Sequence, residues 1–149
     1  MTQNLRYKTK VQFRADAVVA DLNAATFSQS FVAARAYIPR WKLEELATIR
    51  VTVVPKDDVG ERASRSQWQE DYQLDVAIQQ KLGSNETTQM DGLILLGQEL
   101  ADHFKTRNPT GDLATLTAVA FAPLFDLEHL EKHKTLTTVI TLTFRGWGP

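Results

Sequence analysis

Two hydrophobic periods run along the chain. The first is helical. Val11, Ala15, Val18, Val19 and Leu22 recur at i, i+3 and i+4 spacing, with Arg14, Asp16, Asp21 and Asn23 off the stripe. This predicts a helix from Val11 to Ala25. A second helix is predicted from Thr87 to Thr106, on a stripe of Leu93, Leu96, Gly97, Leu100 and Phe104. Ser84 or Asn85 is placed to cap it. Leu95 falls off that stripe among Glu99, Asp102 and Thr106, where a subunit contact fits. His103, one residue before Phe104, reads as a solvated helix residue.

The second period is two. From Trp68 to Leu82 the even positions Trp68, Tyr72, Leu74, Val76, Ile78 and Leu82 are apolar or aromatic. The odd positions Gln67, Gln69, Asp71, Gln73, Asp75, Gln79 and Lys81 are polar, with Ala77 the exception. Alternation sustained this long predicts a strand with one face on a core and one polar face. It is much longer than the usual strand of about 5–6 residues. Ile49, Val51 and Val53 alternate with Thr48, Arg50 and Thr52, and Pro55 is expected to end that strand. Leu136, Ile140, Leu142 and Phe144 alternate with threonines in a last strand, Thr135–Arg145. Shorter strands are predicted at Ser30–Ile38, closed by Pro39, and at Leu113–Pro123. Single helical turns are predicted at Trp41–Ala47 and Asp126–Lys134, and a turn cluster at 107–112. The order α-β-β-β-α-β-β points to an α+β fold, with a mixed or antiparallel sheet of about five strands and two main helices on it.

Lys56 to Ser66 lies between two predicted strands and reads as a loop of eleven residues. Long loops in compact domains are commonly functional. Its charged residues, Lys56, Asp57, Asp58, Glu61, Arg62 and Arg65, mix both signs, which suits docking against a protein better than gripping DNA. We expect it to become ordered against a partner. The polar face Gln67, Gln69, Asp71, Gln73 and Asp75 has no Lys or Arg before Lys81, which suits a subunit interface or the wall of a lumen.

Composition narrows the function. The 149 residues make a single domain. Seventeen Lys+Arg against eighteen Asp+Glu leave a net charge of -1, without the basic excess of a dedicated nucleic-acid binder. The absence of cysteine excludes disulfides, thiolate metal sites and cysteine nucleophiles. No secretory h-region is visible, and no apolar run approaches the roughly 20 residues of a membrane span. No phosphate-binding glycine loop or G-x-S-x-G occurs. Asp71 and Asp75, four residues apart on one strand, are separated by about 13 Å. That is wider than the roughly 5–9.5 Å of a glycosidase carboxylate pair. His129 and His133 share one face of a helical turn, as two metal ligands do. Lys132 and Lys134 beside them oppose a cation. A small metal-dependent hydrolase at these histidines is therefore the alternative from a different class.

The run Val51-Thr52-Val53-Val54-Pro55, then Ser64-Arg65, then Asp71-Tyr72-Gln73-Leu74-Asp75-Val76-Ala77-Ile78-Gln79 resembles the tail terminator (tail completion) proteins of long-tailed bacteriophages. Leu100-Ala101-Asp102-His103-Phe104, the segment Pro123–Leu130 and the threonine-rich Thr137–Arg145 extend the resemblance over about Val11 to Arg145. It implies an α+β subunit of a hexameric ring in the virion tail or neck, assembled in the host cytoplasm. Such a ring caps the tail tube, stops its polymerisation and joins it to the head connector or stopper protein. It also implies passage of DNA through the lumen without sequence-specific binding, no enzymatic activity, no cofactor or metal, and no membrane. A neck or head-completion (stopper) protein is the neighbouring alternative. The resemblance carries over no set of functional residues.

Overall fold

A computed structural model of the chain describes residues 9–38, 42–106, 114–121 and 125–148. Its elements are α1 (Lys10–Ala24), β1 (Val32–Arg35), a 3-10 helix (Leu43–Ala47), β2 (Arg50–Arg62), β3 (Trp68–Lys81), α2 (Glu86–Lys105), β4 (Thr115–Phe121), α3 (Leu127–His133) and β5 (Thr135–Gly148). The strands form one five-stranded sheet in the order β1-β2-β3-β5-β4. β1 runs parallel to β2, and the other pairs are antiparallel. This is the α+β mixed sheet that the two periods predict. The predicted turn cluster at 107–112, and the residues Pro39, Trp41 and Pro123, lie outside the described residues.

Both long helices bury their stripes against one face of the sheet. Thr9 opens α1 with a capping box, its hydroxyl accepting from the Gln12 N–H at 3.1 Å while the Gln12 side chain accepts from the Thr9 N–H at 3.0 Å. Ala15, Val18 and Leu22 then meet Val51 and Val53 of β2 in the core. In α2 the predicted stripe of Leu93, Leu96, Leu100 and Phe104 is wholly buried. Gly97 lets this helix come close to the sheet: a Cβ there would stand 3.1 Å from Cε1 of Phe121. Asn85 occupies the N-cap position without a side-chain bond. Gln89 ties the entry instead, accepting from the Gly83 N–H at 2.7 Å and donating to the Lys81 carbonyl at 3.0 Å.

The even positions of β3 face this core, as alternation predicts: Tyr72, Leu74, Val76 and Ile78 are buried. Opposite them on β5 lie Phe144, Leu142, Ile140 and Thr138. β3 and β5 stay paired without a register shift from Trp68↔Gly148 to Lys81↔Thr135. β5 therefore runs three residues beyond the predicted end at Arg145.

Two expectations are corrected here. The first strand is shorter than Ser30–Ile38, because only Val32–Arg35 finds a partner in β2. Its outer side is closed locally by Asn23, whose amide donates to the Ala33 carbonyl at 3.1 Å and accepts from the Ala33 N–H at 2.8 Å. The second strand does not stop at Pro55, and Lys56–Ser66 is not a loop. β2 continues to Arg62, with a register shift between Pro55 and Asp57. Proline is tolerated there because β1 pairs β2 only as far as Val53, so Pro55 sits on an open edge beside a bulge. The turn is confined to residues 63–67, where the Gln67 carbonyl accepts from the N–H groups of Ala63 and Ser64 at 3.0 and 3.1 Å.

Candidate assembly surface

The unexpected length of β2 builds a projecting ribbon. Beyond residue 56 every β2 side chain is exposed, while the strand keeps pairing with Trp68–Gln73 of β3. β3 in turn pairs with residues 143–148 of β5. Three strands thus continue past the part of the sheet covered by α2. Register assigns the charged residues of β2 to opposite faces. Asp58, Gly60 and Arg62 lie across from Tyr72, Glu70 and Trp68 on the helix side. Asp57, Val59 and Glu61 lie across from Gln73, Asp71 and Gln69 on the other, open side. Lys56 sits at the bulge. Arg65 is in the turn, where its carbonyl accepts from Nη1 of Arg62 at 3.3 Å. The six residues expected to act as one loop are therefore divided between two faces and a tip.

On the helix side the ribbon is clamped by Arg14 of α1. Its guanidinium lies 3.7 Å from the centroid of the Tyr72 ring, 3.6 Å from the Asp58 carboxylate, and in an ion pair with Glu70. Tyr72 stacks on Phe144 with centroids 5.1 Å apart. Lys10 adds a second cation 3.6 Å from Glu70. Burial, reinforced by the charge of Glu70, holds the Asp58 carboxyl above its ordinary value despite the opposing pull of Arg14 and Lys10. Further out, Arg62 lies 5.1 Å over the Trp68 ring. Alternation puts Glu70 on this side, away from Asp71 and Asp75, as the sequence implies. Arg14, read from the sequence as off the stripe, stands four residues before Val18 and eight before Leu22 and shares their buried side of α1. The carboxylates of a distant hairpin let a cation sit there.

The open face carries a ladder of directly opposed polar pairs between β3 and β5. Arg145 donates to both carboxylate oxygens of Asp71, at 2.8 and 3.1 Å. Gln73 donates to Thr143 at 3.2 Å and Thr141 donates to Asp75 at 2.7 Å; lower down, where His129 of α3 reaches Thr137, the buried Gln79 donates to Thr137 at 3.3 Å. Each pair joins register partners, the cross-strand geometry in which side chains interact most strongly. The bond from Arg145 holds Asp71 below its ordinary carboxylate value and raises Arg145 in return. The polar pairs run from Asp71–Arg145 to Asp75–Thr141, and the apolar pair Ala77↔Val139 interrupts them. The face contains a cation that the β3 sequence alone does not reveal, and Asp71 neutralises it. Gln67 lies in the turn, and Gln69 pairs with Trp147. Trp147, about half exposed on this face, is a candidate contact residue that sequence reading missed.

The histidines resolve differently. His129 and His133 lie on α3 with ring centroids 6.4 Å apart. Nδ1 of His129 is 2.9 Å from the Thr137 hydroxyl, and Asp126 caps the helix through the His129 N–H. Among the described residues no three His, Asp or Glu side chains converge on a metal position. His103 is not solvated as expected. Its side chain is 14% exposed and its Nε2 lies 2.7 Å from Asp21 of α1, so the pair ties the two long helices together. Leu95 is exposed, as its position off the stripe requires. Among the described residues no helix is long and apolar enough to cross a membrane. No known family model and no curated protein matches the chain.

Proposed function

We propose that this protein is a structural subunit of a phage tail terminator ring, a hexamer at the head-proximal end of the tail. In this reading it caps the tail tube, stops polymerisation and joins the tube to the head connector or stopper protein. It acts without enzymatic chemistry, in the virion, after assembly in the host cytoplasm. The observation that carries the proposal is the projecting ribbon. Three strands extend from a helix-packed body with charged residues of both signs on their exposed part. Beyond the Arg14 clamp at its root, the extension is not covered by the long helices, and it provides reach across a neighbour in a head-to-tail arrangement.

The open face supports the same reading. On the ribbon its carboxylates Asp57, Glu61 and Asp71 outnumber its cation, Arg145, which is itself bound to Asp71. A wall of this composition does not hold phosphates by counterion release, so DNA slides past it.

Images of tails assembled with and without the protein test the reading. With the protein, tails have uniform length and join heads. Without it, overlong tubes accumulate that carry no head. Tubes of normal length that fail only to join heads point instead to a stopper one level up. Normal virions in its absence contradict both.

A further inference from the structure

The cleft between α1 and the root of the ribbon encloses about 250 Å³. This is below the roughly 300–1,000 Å³ of pockets for free small ligands, and suits one large side chain. Tyr72 and Leu74 form part of its lining, with Val11 of α1, Tyr37 and Pro55. Arg14 and Asp58 line it as well, and the rim at Lys56 is exposed. An aromatic guest gains apolar burial from this lining, a cation–π partner in Arg14, and a carboxylate at the rim for an N–H donor.

The chain offers such a guest. Among the exposed large hydrophobic residues, Trp147 is 49% exposed. Trp68, 44% exposed, lies instead on the helix side, the same side as the cleft, with Arg62 5.1 Å over its ring. Trp147 shares the open face with its register partner Gln69, whereas Tyr72 and Leu74 face the helices. The cleft and the indole therefore lie on opposite sides of the same three strands, so a protomer does not fill its own cleft.

We infer that Trp147 of one subunit docks in the Tyr72–Arg14 cleft of the next. This contact is heterologous: two different surfaces meet, and each subunit keeps one of each for further neighbours. Repetition with a fixed rotation closes a ring. The inference rests on the ring reading above and names the junction that would hold the ring.

The test uses the wild-type chain, Trp147→Ala, and two single-cysteine variants of this cysteine-free protein, Lys56→Cys and Gly148→Cys. A Cβ at Gly148 meets nothing within 4 Å, so that change is accommodated. Light scattering is expected to show the wild type as a closed oligomer. Trp147→Ala, with unchanged circular dichroism, should need at least about tenfold more protein to assemble. A short bismaleimide is expected to join the two cysteine variants into covalent dimers when they are mixed. Neither variant alone should cross-link, and neither should the mixture in the Trp147→Ala background. Assembly of Trp147→Ala at wild-type concentrations, or no cross-link between variants that do assemble, overturns the cleft contact and leaves the ring reading in place. A wild-type chain that stays monomeric at every concentration overturns both.

Discussion

β2, β3 and β5 each pass through two environments, and the contrast between them separates what folds this protein from what it offers to others. In the lower part, Val51, Val53, Val76, Ile78, Ile140 and Leu142 are sealed beneath α1 and α2. In the upper part the same strands carry Val59, Trp68 and Trp147 into solvent. Pairing is uninterrupted between β3 and β5, so backbone hydrogen bonding alone does not distinguish the two. The lower part is stabilised by apolar burial, which varies steeply with side-chain volume. The upper part rests on cross-strand pairs and one arginine clamp, each worth far less.

The largest effect should come from the packed part. Phe104→Ala leaves a cavity under the sheet and should cost about 3–5 kcal/mol in urea unfolding. Val59→Thr on the ribbon should stay within about 0.5 kcal/mol. Similar losses at the two sites would dissolve the distinction.

Arg14 lies at the boundary and should come next. Arg14→Leu strands Asp58 and Glu70, both only partly exposed, and should cost about 2 kcal/mol. Adding Glu70→Gln should restore part of that loss. The Asp58 carboxyl is held above its ordinary value of 3.8, so the folded state binds its proton more tightly than the unfolded chain does. Its contribution to stability therefore falls as pH rises from that value through the raised one. Unfolding midpoints of Asp58→Asn should lose this slope.

A shortened ribbon separates folding from assembly. Replacing residues 60–70 by Asn-Gly joins the register partners Val59 and Asp71 through a two-residue turn. Thermal unfolding should fall only by the loss of Glu70 from beside Arg14, because Asp58 and the apolar core remain, whereas oligomers should disappear in size-exclusion chromatography. Oligomers that persist would move the interface to another surface.

The smallest effect belongs to the ladder. Asp71→Asn gives up the bidentate bond from Arg145 at an exposed site, so the loss of stability should be slight and fade in high salt. Asp71 is held below its ordinary value, so its contribution is present above that value and lost as pH falls through the lowered one. The acid limb of the stability curve should flatten in Asp71→Asn.

The same division explains what was legible in the sequence. Helix stripes and the alternation of β3 announce burial, and burial is what hydrophobic periodicity encodes. The residues of β2 from Lys56 to Arg62 have no buried face, so their charges and proline resemble a loop. Their strand conformation is imposed by pairing with Trp68–Gln73. His103 reads as solvated because its partner is remote in sequence. His103 meets Asp21 across 82 positions. Trp147 lies beyond the last run of alternation and acquires meaning only when register places it opposite the cleft.

Solution mass by multi-angle light scattering tests the central claim most directly. A ring subunit with a heterologous junction should give one sharp species of about six times 16.8 kDa, with no dimer as the end state. A chain that remains at 16.8 kDa across the accessible concentration range contradicts the account.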